Sequence, residues 1–223
     1  MSTLSRPFRQ PQANPADIPD LKALLGQSAA RHNHLCPRQV LGVRMGLAGA
    51  AILGNDQLNV DKSMLVIIET DGCFADGIEV ATGCTIGHRT LRLEDYGKVA
   101  ATFVDVVSGR AVRLVPKSDI RQRAQRFAPL ETRRYSAQLV AYEGMPADQL
   151  FHTQAVELHV PLETILSRPG ARSKCDECGE EIVNEREVER DGQTLCYACS
   201  GQAYYRVVSS QREPRLQLEF DRV

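Results

Sequence analysis

Hydrophobic and polar positions alternate along this chain with periods that change several times, and each change marks an element. Ile18, Leu21, Leu24 and Leu25 fall on one helical face, with Asp17 as a cap, which predicts a short helix running to about Arg31. Pro37 suits the first turn of a second helix, which should run to about Leu53 and stop at Gly54-Asn55. Gly42, Gly46, Gly49 and Ala50 lie within it, so something packs very close to this helix. MLVIIET (64–70) is a continuous apolar run that reads as a buried strand. A short helix is expected near 75–82, between glycine turns. KVAATFVDVV (98–107) and RAVRLV (110–115), joined by Ser108-Gly109, read as a hairpin. Residues 117–145 read as helix in two pieces split near Pro129, and AVELHV (155–160) as a further strand.

SRPG (167–170) is a linker signal, and the segment after it changes character. The pattern predicts a flexible N-terminal arm (1–16), an α+β core with a mixed sheet and packed helices (17–168), a small C-terminal module (171–201) and a C-terminal extension (202–223). No internal repeat is visible.

Composition narrows the class. With 223 residues and 43% hydrophobic content the chain can bury a core without a disulfide framework. A net charge of -1 gives no global basic field for nucleic acid. The longest apolar stretch, VLGVRMGLAGAAILG (40–54), is too short for a membrane span and carries Arg44. The start lacks the apolar run of a signal peptide, so the seven cysteines are expected as reduced thiols in the cytoplasm.

The strongest chemical pattern lies in the module. Cys175-x2-Cys178 and Cys196-x2-Cys199 are separated by seventeen residues. Two residues between cysteines let both sulfurs of a knuckle face one metal while amides bond them, and Gly179 permits the turn. The spacer is too polar to form a core, so the metal must supply folding energy. Four thiolates with no open position make a structural zinc-ribbon-like site; two disulfides or an iron–sulfur centre are the competing readings.

A second cluster precedes the glycine-rich helix. In RHNHLCPRQVLGVRMG (31–46), His32, His34 and Cys36 can share one side if the stretch is extended. A thiol just ahead of a helix also feels its N-terminus, which favours thiolate chemistry and metal binding. The plainer reading is two solvated histidines and a packed cysteine. The loop after the first strand adds Asp71, Cys73, Asp76, Cys84, Thr85 and His88, with Lys98 following. Ligands of such sheets gather beyond the strands' carboxyl ends. Cys73 and Cys84 also read as packing residues, and Asp71 and Asp76 as helix caps.

These stretches, with MPADQLFHTQAVELHVP and RPGARSKCDECGEEI…LCYACS, resemble the FmdE-like family, named for a component of formylmethanofuran dehydrogenase, over residues 20–201. The module also resembles the TraR/DksA type of zinc finger. The family pattern near the start is close to His-Gly-His-x-Cys-Pro-Gly; here Asn33 replaces the first glycine and Arg38 the second. The resemblance implies an α+β core with a C-terminal zinc module, a homodimer, and an active-site pocket at the His/Cys cluster. Carried across, the pocket candidates are His34, Cys36, Asp71, Cys73, Cys84, Thr85, His88 and Lys98. The family's name comes from a molybdenum or tungsten enzyme of methanogens and fixes no reaction here.

Three functions follow as expectations. The first is a metal- or thiol-dependent enzyme, or accessory subunit, acting on a small C1 or cofactor-like molecule, with a second transition metal in the core pocket. In it His34 and Cys36 are ligands or base and nucleophile, Asp71 orients a histidine and Lys98 holds an anion. The second is a non-catalytic partner or metal-handling protein that docks a larger oxidoreductase through its zinc module. The third, nucleic-acid binding, is opposed by the module's four basic against eight acidic residues.

Overall fold

The computed structural model describes residues 21–54 and 61–207. The expected arm, the helix start at Asp17 and most of the C-terminal extension lie outside them. The chain divides into two compact units between Leu162 and Glu163.

In the first unit the elements run α1 (Leu21–His32), α2 (Pro37–Leu53), β1 (Met64–Ile68), α3 (Cys73–Thr82), β2 (Leu91–Leu93), β3 (Ala101–Asp105), β4 (Ala111–Pro116), α4 (Ile120–Phe127), α5 (Arg134–Gly144), α6 (Ala147–Leu150) and β5 (Phe151–Val156). The strands form one mixed sheet in the order β2-β1-β3-β4-β5, parallel between β1 and β2 and antiparallel elsewhere.

Helix α2 is the centre of the core, and its ends are set by local chemistry. Cys36 precedes it in extended conformation, and the Gln39 side chain accepts the Cys36 N–H at 2.8 Å. Pro37 opens the helix, where no N–H is needed. Gly54 closes it at φ 82°, its N–H returning to the carbonyls of Ala50 and Ala51. Apolar on almost every side, α2 is enclosed by other elements. Its glycines are used inside this chain. A methyl on Gly42 would meet the Phe74 carbonyl at 2.3 Å, one on Gly46 the Ala81 methyl at 2.7 Å, and one on Gly49 the Phe103 ring at 2.4 Å. The small residues therefore let α3 and β3 approach.

One charged side chain is buried within this apolar helix. Arg44, 1% exposed, donates to the carbonyls of Tyr142 (2.9 Å), Glu143 (2.6 Å) and Met145 (2.7 Å). These groups end α5, where carbonyls lack helical partners and the helix dipole is negative. Burial lowers the Arg44 pKa to about 10, opposed by Glu143, so the guanidinium remains charged at neutral pH.

The expected hairpin is β3–β4. Its turn is tied by the Asp105 carboxylate, which accepts the Val107 N–H at 2.9 Å and the Ser108 hydroxyl at 2.7 Å. The last strand differs from expectation. It spans Phe151–Val156, paired from Pro116↔Phe151 to Ala111↔Val156, and 157–160 is irregular. As an edge strand, β5 leaves His152 to Ala155 exposed, so no apolar alternation announces it.

In the second unit, β6 (Arg172–Lys174) pairs with β7 (Glu181–Val183), and β8 (Val188–Arg190) with β9 (Gln193–Leu195), before a helical turn at Ala198–Gln202. A short helix, α7 (Leu162–Leu166), spans the division between the units. The fully buried apolar cluster of the second unit consists of Cys175, Ile182 and Leu195, with Cys196 and Cys199 against it. Two aliphatic side chains cannot order a module of this length, so cysteine chemistry has to.

Candidate functional site

Two cysteine centres emerge, one in each unit. In the second, the sulfurs of Cys175, Cys178, Cys196 and Cys199 all lie within 4.8 Å of one another, and Cys178 and Cys196 are 4.0 Å apart. A zinc tetrahedron with bonds of ~2.3 Å has sulfur–sulfur edges of ~3.8 Å, so the set fits zinc. The Cys196 N–H donates to the Cys175 sulfur at 3.3 Å, and the Cys199 N–H to the Cys196 sulfur at 3.4 Å. Amide bonds from Cys178, Cys196 and Glu177 outweigh burial at Cys175 and lower its pKa to about 6. Burial and the neighbouring sulfurs push Cys199 up instead. A dication removes that conflict by making all four thiolates ligands. The site is closed and structural.

The core centre lies where α2 and α3 begin. Cys36 is the N-cap of α2 and Cys73 the first residue of α3. Both are half-buried and free, and they stand at the starts of two helices whose backbones pack together. Burial, then Cys36, pushes the Cys73 thiol up, while Arg38 draws it down. The Tyr135 hydroxyl, from α5, donates to the Leu35 carbonyl at 2.8 Å. Burial first, then the charges of Cys36 and Cys73, raises the Tyr135 pKa.

The helix packing explains the convergence. A methyl on Gly77 would stand 2.4 Å from the Gln39 carbonyl and 2.7 Å from the Val43 nitrogen. The α2 and α3 backbones thus touch about one turn beyond the two thiols. A second polar cluster flanks them. Arg31 donates to Asp76 (3.3 Å) and Glu79 (2.6 Å), and His32 Nε2 contacts the Asp76 carboxylate closely. This network ties the end of α1 to α3.

The eight pocket candidates do not gather at one point. Cys36 and Cys73 stand at the neighbouring starts of α2 and α3. His34 is exposed, its Nδ1 2.9 Å from the His32 carbonyl. Asp71 is exposed at the loop before α3. Cys84 follows the other end of α3, and a ten-residue helix is ~15 Å long, so it cannot share a metal with Cys73. Cys84 is fully buried and donates to the Met64 carbonyl at 3.6 Å, the behaviour of a packed thiol. Thr85 accepts the His88 N–H at 3.1 Å within a turn that leaves His88 exposed. Lys98 is exposed over the Tyr96 ring, 5.8 Å from its centre. Among the described residues, the module's four cysteines are the one group of three or more His, Cys, Asp or Glu able to hold a metal.

Gln39 and Tyr135 join the site without having been sequence candidates, whereas His32 and Asp76, each noted in its own cluster, pair with one another. Gln39 lies within a family-like stretch and could have been found by helix spacing. Tyr135 lies 100 residues from Leu35 and carries no local signal.

Asn33 takes φ 59°, just past the end of α1. This is the left-handed region that glycine and, next, asparagine tolerate.

Residues 31–159 match the family described as FmdE, Molybdenum formylmethanofuran dehydrogenase operon, and residues 169–205 match the prokaryotic dksA/traR C4-type zinc finger. A protein of Archaeoglobus fulgidus named "Probable S-adenosyl-L-methionine-binding protein" is 32% identical; the match covers 88% of this chain and 57% of the relative's length. The crystal structure of a tungsten formylmethanofuran dehydrogenase FmdE-like protein from Syntrophus aciditrophicus has a TM-score of 0.50 and 20% identity, over 83% of this chain and 94% of that one. This last likeness is one of fold. Among the described residues, no helix is long and apolar enough to cross a membrane.

Proposed function

The chain belongs to the FmdE family, with a C4-type zinc finger appended, and from that premise we propose that its core carries a thiol-based site for a small C1 or cofactor-like molecule. One observation carries the reading. Cys36 and Cys73 stand at the starts of two helices packed backbone to backbone, both partly open to solvent, and the Tyr135 hydroxyl bonds the Leu35 carbonyl next to Cys36. Helix N-termini stabilise thiolates and bind anionic groups. Rigid elements hold both sulfurs, as a binding site requires.

The name of the Archaeoglobus relative supplies the first ligand to try, S-adenosylmethionine, although this chain spans 57% of that protein. The core acts as an enzyme or as an accessory subunit of a larger oxidoreductase. A second transition metal would take Cys36 and Cys73 as two of its ligands. The homodimer rests on the family alone, because the α2 glycines are already covered within the chain. The reduced thiols of Cys36 and Cys73 suit the reducing cytoplasm.

Titration calorimetry of the full chain with S-adenosylmethionine tests the site. Binding that weakens at least tenfold in Cys36→Ala, with the fold retained by circular dichroism, supports it. No binding heat at millimolar ligand, or equal affinity in Cys36→Ala, overturns it for this ligand class.

A further inference from the structure

Cys36 and Cys73 are free thiols at the starts of two helices that pack backbone to backbone, and the fold rather than side-chain chance sets them near each other. Gln39, whose carbonyl touches Gly77, is three residues after Cys36, and Phe74, whose carbonyl touches Gly42, directly follows Cys73. Both thiols therefore sit on the same side of a backbone-to-backbone crossing. Gln39 fixes the Cys36 amide further, and its own side chain donates to the Ser28 carbonyl at 2.6 Å.

Exposure sorts the remaining cysteines. Cys84 is fully buried, and the other four are gathered at the zinc site. Cys36 and Cys73 are intermediate, open enough for a small reagent. Two neighbouring thiols, reachable by a small molecule and seated at the starts of packed helices, are the arrangement that thiol–disulfide exchange requires.

We propose that Cys36 and Cys73 form a redox-active dithiol that exchanges with low-molecular-weight disulfides and closes reversibly to an intramolecular disulfide. The thiolate of Cys36 attacks one sulfur of the small disulfide. A mixed disulfide forms on Cys36, and the first small thiolate leaves. Cys73 then loses its proton to solvent and attacks the Cys36 sulfur, releasing the second small thiolate. The protein dithiol loses two electrons and two protons, and the small disulfide is reduced to two thiols. Closure would withdraw both sulfurs from the site proposed above, so the exchange would switch that site off. The step itself does not depend on what the site binds.

The test uses the full chain with its zinc, equilibrated in buffers of glutathione and glutathione disulfide at graded ratios, then quenched by alkylation. Peptide mass mapping reads each cysteine separately, and no other ligand is present, so the result is independent of the S-adenosylmethionine titration. The expected result is a linked Cys36–Cys73 peptide, with loss of both alkylatable thiols and their return on adding dithiothreitol. In Cys73→Ser the reaction should stop at a glutathione adduct on Cys36; Cys73→Ala serves if the serine variant fails to fold. A wild-type chain that shows no linked peptide at any ratio, or that accumulates stable glutathione adducts on both residues, overturns the proposal. So does a Cys73 variant whose Cys36 takes up no glutathione.

Discussion

Gly42 and Gly77 face each other across the α2–α3 crossing, each leaving no room for a methyl group on the other. A Cβ on Gly42 would lie 3.0 Å from the Gly77 Cα, and one on Gly77 2.9 Å from the Gly42 Cα. The neighbours are backbone, which cannot swing away. Alanine at either position gains ~1 kcal/mol of helix propensity but forces the helices apart, so a net loss of ~1–3 kcal/mol is expected in urea unfolding. Gly26 on α1 has nothing within 4 Å, and Gly26→Ala should stabilise by ~0.5–1 kcal/mol. Equal effects at Gly26 and Gly77 would refute the close crossing.

Arg44 should resist every replacement. Arg44→Met leaves the carbonyls of Tyr142, Glu143 and Met145 buried without these donors, a loss of ~3–5 kcal/mol by analogy with broken buried pairs. Arg44→Lys should recover only part, since an ammonium lacks the planar fork. Thermal unfolding of both variants measures the difference, and a neutral Arg44→Met would contradict the carbonyl cage.

Asn33 replaces a glycine of the family pattern, and its positive φ explains the exchange. Asn33→Gly should change stability by a few tenths of a kcal/mol. Asn33→Val should lose ~1–2 kcal/mol, because a β-branched residue is strained in that region. Denaturant midpoints of the two variants give the comparison, and a tolerated valine would count against the left-handed turn.

The β3–β4 turn should depend on acid. Burial raises the Asp105 pKa, but the Ser108 hydroxyl and the amides of Val107 and Ser108 outweigh it, and the pKa falls below its ordinary 3.8. A carboxylate lowered by folding adds stability that is full above the unfolded pKa and is lost as pH falls through the folded one. Asp105→Asn should therefore destabilise at pH 7, by ~1 kcal/mol. The gap to wild type should narrow as pH falls below the ordinary carboxylate pKa and vanish once the folded carboxylate is protonated. A gap that stays constant from pH 7 to pH 3 would rule out the ionised form as the cause.

Zinc removal should act on one unit alone. Chelation, or Cys178→Ser, should unfold the module while the sheet and α2 persist, because the core makes no use of the metal. Hydrogen exchange resolves the two units. Loss of protection in β1 and β3 together with the module would show a coupling that this picture lacks.

Legibility in the sequence followed the presence of local chemical marks. Pro37 and Gly54 bracket α2, and both ends were readable for that reason. The four module cysteines were readable because spacing alone restricts what they can do. Strand β2 has three residues and no period, and β5 hides behind exposed polar side chains. Cys84 misled because a buried thiol and a ligand thiol are the same letter; only the depth of the residue separates them. The approach of Cys36 to Cys73 required the crossing at Gly42, and Tyr135 required α5 to fold back onto the Leu35 loop. Neither is encoded within a short window.

Arg44 carries one more consequence. Helix α2 has seventeen residues and is ~25 Å long, close to the thickness of a bilayer's hydrocarbon region. A nascent segment of this composition competes between the protein's interior and lipid. An arginine near its midpoint costs ~2.5–3.5 kcal/mol on insertion, yet inside the fold the same side chain finds three carbonyl partners. The same side chain thus opposes lipid and favours the interior for this long apolar helix.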